Sequence, residues 1–455
     1  QELRRLLERN VFGVDRDPHA VRVACFSLYL AMCDEIDPRH YWTQVVFPSM
    51  RNERLICSDF FEENQAGFRA RQDAGTYDLI IGNAPWGEKL LTDAAKKWAS
   101  DADRRWPLAN YGIGTLFLPK AACLINDTGR VALIQSASSL IFNRQPRAIA
   151  FRAKLFNTHS VEEVINLSAL RFKVFKRKTH AAKTSISPAC IVILSKAAPK
   201  ADDRITYISP KHTEPLLNEF QIVIEPNDQR ALNIREAANE VSPWATLMWG
   251  SNRDRALVKK LCSFPSVASL SEAHALRHRE GIIFGDRKKP QPQLRGRRIL
   301  QNKNFPEGLL HLNAEGLPKL AEVDTDSRAS TDFSAFALPQ LIVKQGWQKD
   351  VSRFQARLTR SSEMSGALCT QSYITVHATD AQGTSLEAAC LAYNSMVATY
   401  FLFLTSGRFA SYRPEPLVEE LLSVPIPAPK PGLLDGIATQ KQVDERVFAA
   451  FGFKD

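Results

Sequence analysis

The spacing of apolar residues changes several times along the chain, and each change marks an element. Leu3, Leu6 and Leu7 recur at helical spacing, and Asn10 closes a short helix. Residues 11–14 (Val-Phe-Gly-Val) then read as a buried strand ending in Asp15-Arg16-Asp17-Pro18. Pro18 suits the first turn of the helix predicted over residues 20–32. Strands are predicted at 55–57 and 77–81, a helix at 114–124, and further strands at 131–134, 161–167 and 189–194. Strands alternating with helices at this pitch predict an α/β fold with a parallel, doubly wound sheet, where ligands gather at the carboxyl ends of the strands. Three of these strands run into Asp15, Asp59 and Asn83.

Beyond residue 200 the periodicity weakens. The pattern predicts a catalytic-type domain over 1–200, a connecting segment over 201–240 and a mixed α+β domain over 241–455. In the last, strands at 340–344 and 373–376 precede one helix at 385–405. The apolar run 391–404 is interrupted by Asn394, Ser395 and Thr399 and is too short to span a bilayer, so no membrane partner is expected.

Composition adds exclusions. Of 455 residues, 44% are hydrophobic and 24% charged, which excludes a disordered, collagen-like or disulfide-stapled chain. A formal net charge of +10 suits a polyanionic partner. The eight cysteines form no CxxC pair and lie mostly in apolar runs, as expected of reduced core residues in a cytoplasmic protein without a zinc site. No apolar leader opens the sequence.

The three strand ends carry the candidate chemistry. Asp15 suits the two hydroxyls of a ribose; Asp59 and Phe60 suit an adenine, the carboxylate taking the exocyclic amine and the ring packing on the base. The plainer alternative for each aspartate is a turn former or helix cap. For Asn83-Ala84-Pro85-Trp86-Gly87 it is a proline turn with a tryptophan filling the core.

Taken in order, these segments resemble the gamma-class amino-methyltransferases that act on DNA. Residues 11–18 are similar to their motif II, 57–60 to motif III, and Asp78-Leu79-Ile80-Ile81-Gly82-Asn83-Ala84-Pro85-Trp86 to motif IV, usually Asn-Pro-Pro-aromatic. Val131 to Ile134 with Ser139-Leu140 resembles motif VI, Phe175 occupies the place of the motif VIII aromatic, and 390–427 resembles the end of a target-recognition region. The nearest types would be type IIG restriction-modification enzymes and phage-exclusion methylases. The resemblance implies a Rossmann-like sheet followed by a target-recognition domain. It implies S-adenosylmethionine held by Asp15, Asp59 and Phe60, with methyl transfer to the N6 amino group of a flipped adenine. Asn83 and the Ala84 carbonyl would accept the amino hydrogens while Trp86 and Phe175 stack on the base. Ala84 departs from the family's second proline, although Pro85 still biases it toward an extended backbone.

Double-stranded DNA is the expected partner, with other subunits of a restriction or phage-defence system as further candidates, in a prokaryotic cytoplasm. Residues 171–183 hold six Lys/Arg and no acid, and 285–303 hold seven Lys/Arg against Asp286 alone. From these, Arg171, Lys173, Lys176, Arg177, Lys178, Arg287, Lys288, Lys289, Arg295, Arg297 and Arg298 are the expected phosphate contacts. Trp249, Asn252 and Arg253 are candidates for base readout.

The family's glycine-rich motif I turn is not found within these residues and is expected upstream. Its strand would lie between those ending at Asp15 and Asn83, so residues 1–455 alone are expected to bind the cofactor poorly and to aggregate. Two other readings stay open: a protein-glutamine or RNA N-methyltransferase, and a non-catalytic DNA-binding module of a defence assembly.

Overall fold

The computed structural model describes residues 1–455 apart from 87–90, 110–111, 175–187, 217–218, 274, 302–304, 322, 327–329, 361–365, 380–382, 410–412 and 454–455. The chain divides into two compact units. The first comprises Gln1–Leu167, Ala189–Pro210 and Ile224–Asn239; the second comprises Ser168–Pro188, Lys211–Val223 and Glu240–Asp455.

In the first unit, α1 (Glu2–Asn10) leads into strand β1 (Gly13–Asp15) and α2 (Pro18–Asp34). Asp17 caps α2 by accepting from the His19 amide, and Pro18 occupies the first turn, where its missing N–H costs nothing. β1 pairs in parallel with β2 (Leu55–Cys57), and these two strands form a sheet of their own. A six-stranded sheet follows, from β3 (Tyr77–Asn83), β4 (Ile125–Ser136), β5 (Ser160–Asn166), β6 (Ala189–Ser195), β7 (Arg204–Ile208) and β10 (Gln229–Asn233), in the order β10-β7-β5-β6-β4-β3. The intervening β8 (His212–Leu216) and β9 (Glu219–Val223) make a separate hairpin in the second unit.

Two expectations are corrected here. The six-stranded sheet is mixed rather than parallel: β3/β4 and β5/β7 run parallel, while β6 lies antiparallel to both β4 and β5, and β10 is antiparallel to β7. Residues 201–240 are no mere connector, because β7 and β10 extend the sheet beyond β5. Alternation still governs burial. Val131, Leu133 and Gln135 share one face of β4 and are all 4% exposed or less.

β1 and β3, which the methyltransferase resemblance places on either side of a further strand, belong to different sheets. β3 is an edge strand whose Leu79 and Ile81 are 58% and 72% exposed. Val23 and Phe26 of α2 are also well exposed. Phe12, Val14, Ile56, Phe68 and Ile80 nevertheless share one apolar cluster, so the two sheets of this unit are packed through side chains.

The second unit is built on an antiparallel sheet. β11 (Leu276–Glu280), β15 (Gln340–Lys344), β16 (Ala356–Thr359) and β18 (Tyr373–Ala378) lie in the order β11-β18-β15-β16. Small pairs β12 (Lys288–Pro290) with β14 (Asp324–Asp326), and β13 (Ile299–Leu300) with β17 (Leu368–Cys369), flank it. The single helix expected at 385–405 is two, Thr384–Tyr393 and Met396–Thr405, bent by 72°. Asn394 turns its amide onto the Cys390 and Ala356 carbonyls, and Ser395 caps the second helix through the Val397 amide. The break is a side-chain competition for backbone that apolar periodicity does not record.

Candidate active site

The parallel register Asp15↔Cys57 puts the carboxyl ends of β1 and β2 side by side, and the Ser58 amide donates to the Asp15 carbonyl at 2.9 Å. Asp15 and Asp59 therefore emerge from neighbouring strand ends. Each also forms a turn, as the plainer alternative expects: Asp15 Oδ1 accepts from the Asp17 amide at 2.7 Å, and Asp59 Oδ1 from the Phe61 amide at 3.0 Å. Among the described residues, neither Oδ2 takes a hydrogen bond. One oxygen of each carboxylate fixes the loop while the other remains open to a ligand.

Half-buried Phe60 stacks on Phe117, with centroids 5.0 Å apart and planes 17° from parallel, so one face of the ring is already covered. Nearby, the fully buried Lys120 ammonium pairs with Glu63 and lies 5.9 Å from the Phe60 ring. Burial pulls this lysine below its ordinary range, against the opposing pull of the Glu63 carboxylate. Phe117, Lys120 and Glu63 carried no motif and were missed by sequence reasoning.

The second half of the site stands at the end of β3. Asn83 is opposite Ile134 in the parallel ladder and is exposed. Ala84 is 4% exposed, and its amide reaches the Ile134 carbonyl at 3.4 Å. That long bond extends the β3/β4 ladder by one step, and a proline could not make it. The departure from Asn-Pro-Pro thus replaces a fixed φ with a ladder contact.

Pro85 and Trp86 line a pocket with Gly114, Thr115, Gln135 and Ser139. Ser136 also lines it; its hydroxyl is hydrogen-bonded with that of Ser138 at 2.9 Å, and Ser139 donates to Ser136 at 3.2 Å. Gly114 is required where it stands. A Cβ there would lie 2.6 Å from the Pro85 carbonyl oxygen, a distance real Cβ atoms essentially never show.

Phe175, Lys176, Arg177 and Lys178 lie outside the described residues. Arg171 and Lys173 sit on the short helix Arg171–Val174 of the second unit. Lys173 is exposed, whereas Arg171 is half-buried over the Phe172 ring with Nη1 donating to the Ser168 carbonyl.

Arg287, Lys288, Lys289 and Arg295 are exposed. Arg297 and Arg298 must be withdrawn from the phosphate set. Nη2 of Arg297 donates to the Phe336 and Gly366 carbonyls at 3.0 and 2.6 Å, and Nη1 of Arg298 donates to Leu317 at 2.6 Å. Both arginines are half-buried, and these guanidinium bonds to loop carbonyls hold this unit together. Trp249 is likewise structural, packed against the core beside Phe403.

Residues 9–175, which carry both halves of the site, match the Eco57I restriction-modification methylase family. No curated protein sequence matches the chain. Among solved structures it is similar to the type IIG restriction endonuclease BpuSI, with 12% identity over 86% of this chain and 50% of that one and a TM-score of 0.36. The methyltransferase subunit of a type I restriction-modification system from Streptococcus thermophilus gives 14% identity, 47% and 39% coverage, and a TM-score of 0.31. A DrdV–DNA complex gives 11% identity, 91% and 53% coverage, and a TM-score of 0.41. The chain spans about half the length of these structures or less.

Proposed function

We propose, from a segment that matches restriction-modification methylases, that this chain methylates the N6 amino group of a flipped adenine in double-stranded DNA. The observation that carries the reading is the Asn83–Trp86 turn: it closes a strand and opens on a pocket lined by its own Pro85 and Trp86. The residues also fit the adenosine half of S-adenosylmethionine, through the open Oδ2 atoms of Asp15 and Asp59 and the ring of Phe60. When bound, that cofactor would supply the electrophilic methyl group.

The chain's own contribution is to the amine. An aromatic amino nitrogen is a poor nucleophile because its lone pair is delocalised into the ring. The Asn83 side-chain carbonyl and the Ala84 backbone carbonyl would each hold one amino hydrogen, favouring tetrahedral nitrogen and a localised lone pair. Trp86 would stack on the extruded base, worth about 1–3 kcal/mol, against a flipping cost of a few kcal/mol. The exposed Lys173, Arg287, Lys288, Lys289 and Arg295, together with Lys176, Arg177 and Lys178, would hold phosphates and fix register. In a prokaryotic cytoplasm, such a chain would serve restriction or phage defence beside other subunits.

The test is to incubate the full-length protein with methyl-labelled S-adenosylmethionine and unmethylated duplex DNA, then hydrolyse the products. Label in N6-methyladenine is the expected result. Label in cytosine, RNA or protein, or none at all with DNA still bound, would overturn the proposal.

A further inference from the structure

Gln135 is the feature of the first unit that the reading above leaves unused. It continues the row of Val131 and Leu133 on the covered face of β4, where strand alternation calls for an apolar side chain. It is 1% exposed, and its Nε2 has no hydrogen-bond partner among the described residues. A buried donor left unpaired costs about 1–3 kcal/mol, and native interiors hold few of them. Gln135 is among the residues that line the Pro85–Trp86 pocket. Beside it stands Gly114, where the missing side chain leaves room for the Pro85 carbonyl; a Cβ there would come within 3.8 Å of Gln135 Oε1.

We infer that Gln135 is a base-selecting residue: its Nε2 donates to an unprotonated ring nitrogen of the heteroaromatic base held against Trp86. This rests on the base-flipping reading, and it assigns a division of labour that the Asn83–Trp86 turn cannot perform alone. The Asn83 side-chain carbonyl and the Ala84 carbonyl, both turned to the amino hydrogens, recognise the amino group and leave the ring nitrogen to another donor. Gln135 supplies the donor that a ring nitrogen requires and that a protonated or carbon-substituted ring position refuses. A site whose buried polar group goes unpaired with the wrong ligand discriminates far better than an apolar one.

The variant Gln135→Leu, in the full chain, separates this role from a structural one. Removing an unpaired buried amide should leave the melting temperature of Gln135→Leu unchanged or higher. With the cofactor site first saturated by S-adenosylhomocysteine, adenosine as a free probe should bind the leucine variant about tenfold more weakly. In wild-type protein with 15N-labelled glutamine, the side-chain amide peaks that vanish in Gln135→Leu should shift on adding adenosine. With 1-deaza-, 3-deaza- and 7-deazaadenosine, one analogue should fail to shift them, which identifies the ring nitrogen. Peaks indifferent to adenosine, or a leucine variant that melts lower and binds adenosine normally, would overturn the assignment. Methyl transfer to DNA by the wild type, measured alongside, shows separately whether the base-flipping reading holds.

Discussion

Replacing Gly114 by alanine tests whether the turn after β3 is held in one place. Its Cβ would stand 2.6 Å from the Pro85 carbonyl oxygen, where ordinary contact begins at 3.4 Å, so turn and helix start must separate by roughly 0.8 Å. Overpacking of this kind costs about 1–3 kcal/mol. Gly→Ala recovers about 0.4–1 kcal/mol by restricting the unfolded chain, which leaves a net loss of about 1–2 kcal/mol. For a unit of this size that lowers its thermal transition by about 2–8 °C. Activity should suffer more than stability. A displacement near 1 Å at reacting groups costs about a hundredfold, so methyl transfer should fall about 10–100-fold while DNA affinity holds. Gly112 is the control. It lines the same pocket, but among the described residues its added Cβ would meet only the Ala109 carbonyl at 3.5 Å, so Gly112→Ala should be silent in both assays. A Gly114→Ala protein with wild-type melting and methyl transfer within twofold would refute the claim that this contact positions the turn.

Other outcomes follow from the same geometry. Asn83→Ala should abolish methyl transfer with little change in DNA retention, since Asn83 is exposed at the strand end and carries no charge; activity above a tenth of wild type would remove it from the mechanism. Charge reversal at Arg287, Lys288, Lys289 and Arg295 should flatten the salt dependence of DNA binding without changing the melting curve, whereas reversal at Arg297 should lower melting because two loop carbonyls lose their donor. Burial pushes the His159 imidazole below its usual 6.5, so on acidification the unfolded chain takes up a proton that the folded one refuses. Stability should therefore fall as pH drops below about 6.5 toward the folded value, and His159→Gln should flatten that limb in acid titrations of melting temperature.

Much of the first unit was legible because local signals and tertiary packing agreed there. Apolar spacing placed α1 and α2, and the Asp17-Pro18 pair marked where α2 starts. β4 was underestimated because Asn126-Asp127-Thr128-Gly129 reads as a loop; Gly129 lies close under the Tyr77 carbonyl, and a register shift at Tyr77/Leu79 accommodates the irregular start. The motif residues Asp15, Asp59 and Asn83 announced themselves at strand ends. Gln135 did not, because one polar residue closing an apolar strand looks like its boundary. The basic segments misled in part, since net charge counts Arg297 and Arg287 equally, although the first guanidinium is hydrogen-bonded to two loop carbonyls and the second residue is exposed.

The path of the chain between the two units bears on how specificity could change in descent or in the laboratory. The backbone passes from one unit to the other at 167, 188, 210, 223 and 239. β6 begins at such a passage, and β7 ends two residues before one. A unit joined at a single point is a cassette, exchanged by cutting once. This one is joined to the first by five passages of the backbone. A recombinant joined at 240 would import 240–455 but keep 168–188 and 211–223 from the old parent, leaving a chimaeric second unit with mismatched contacts. Viable exchange requires all three segments to travel together.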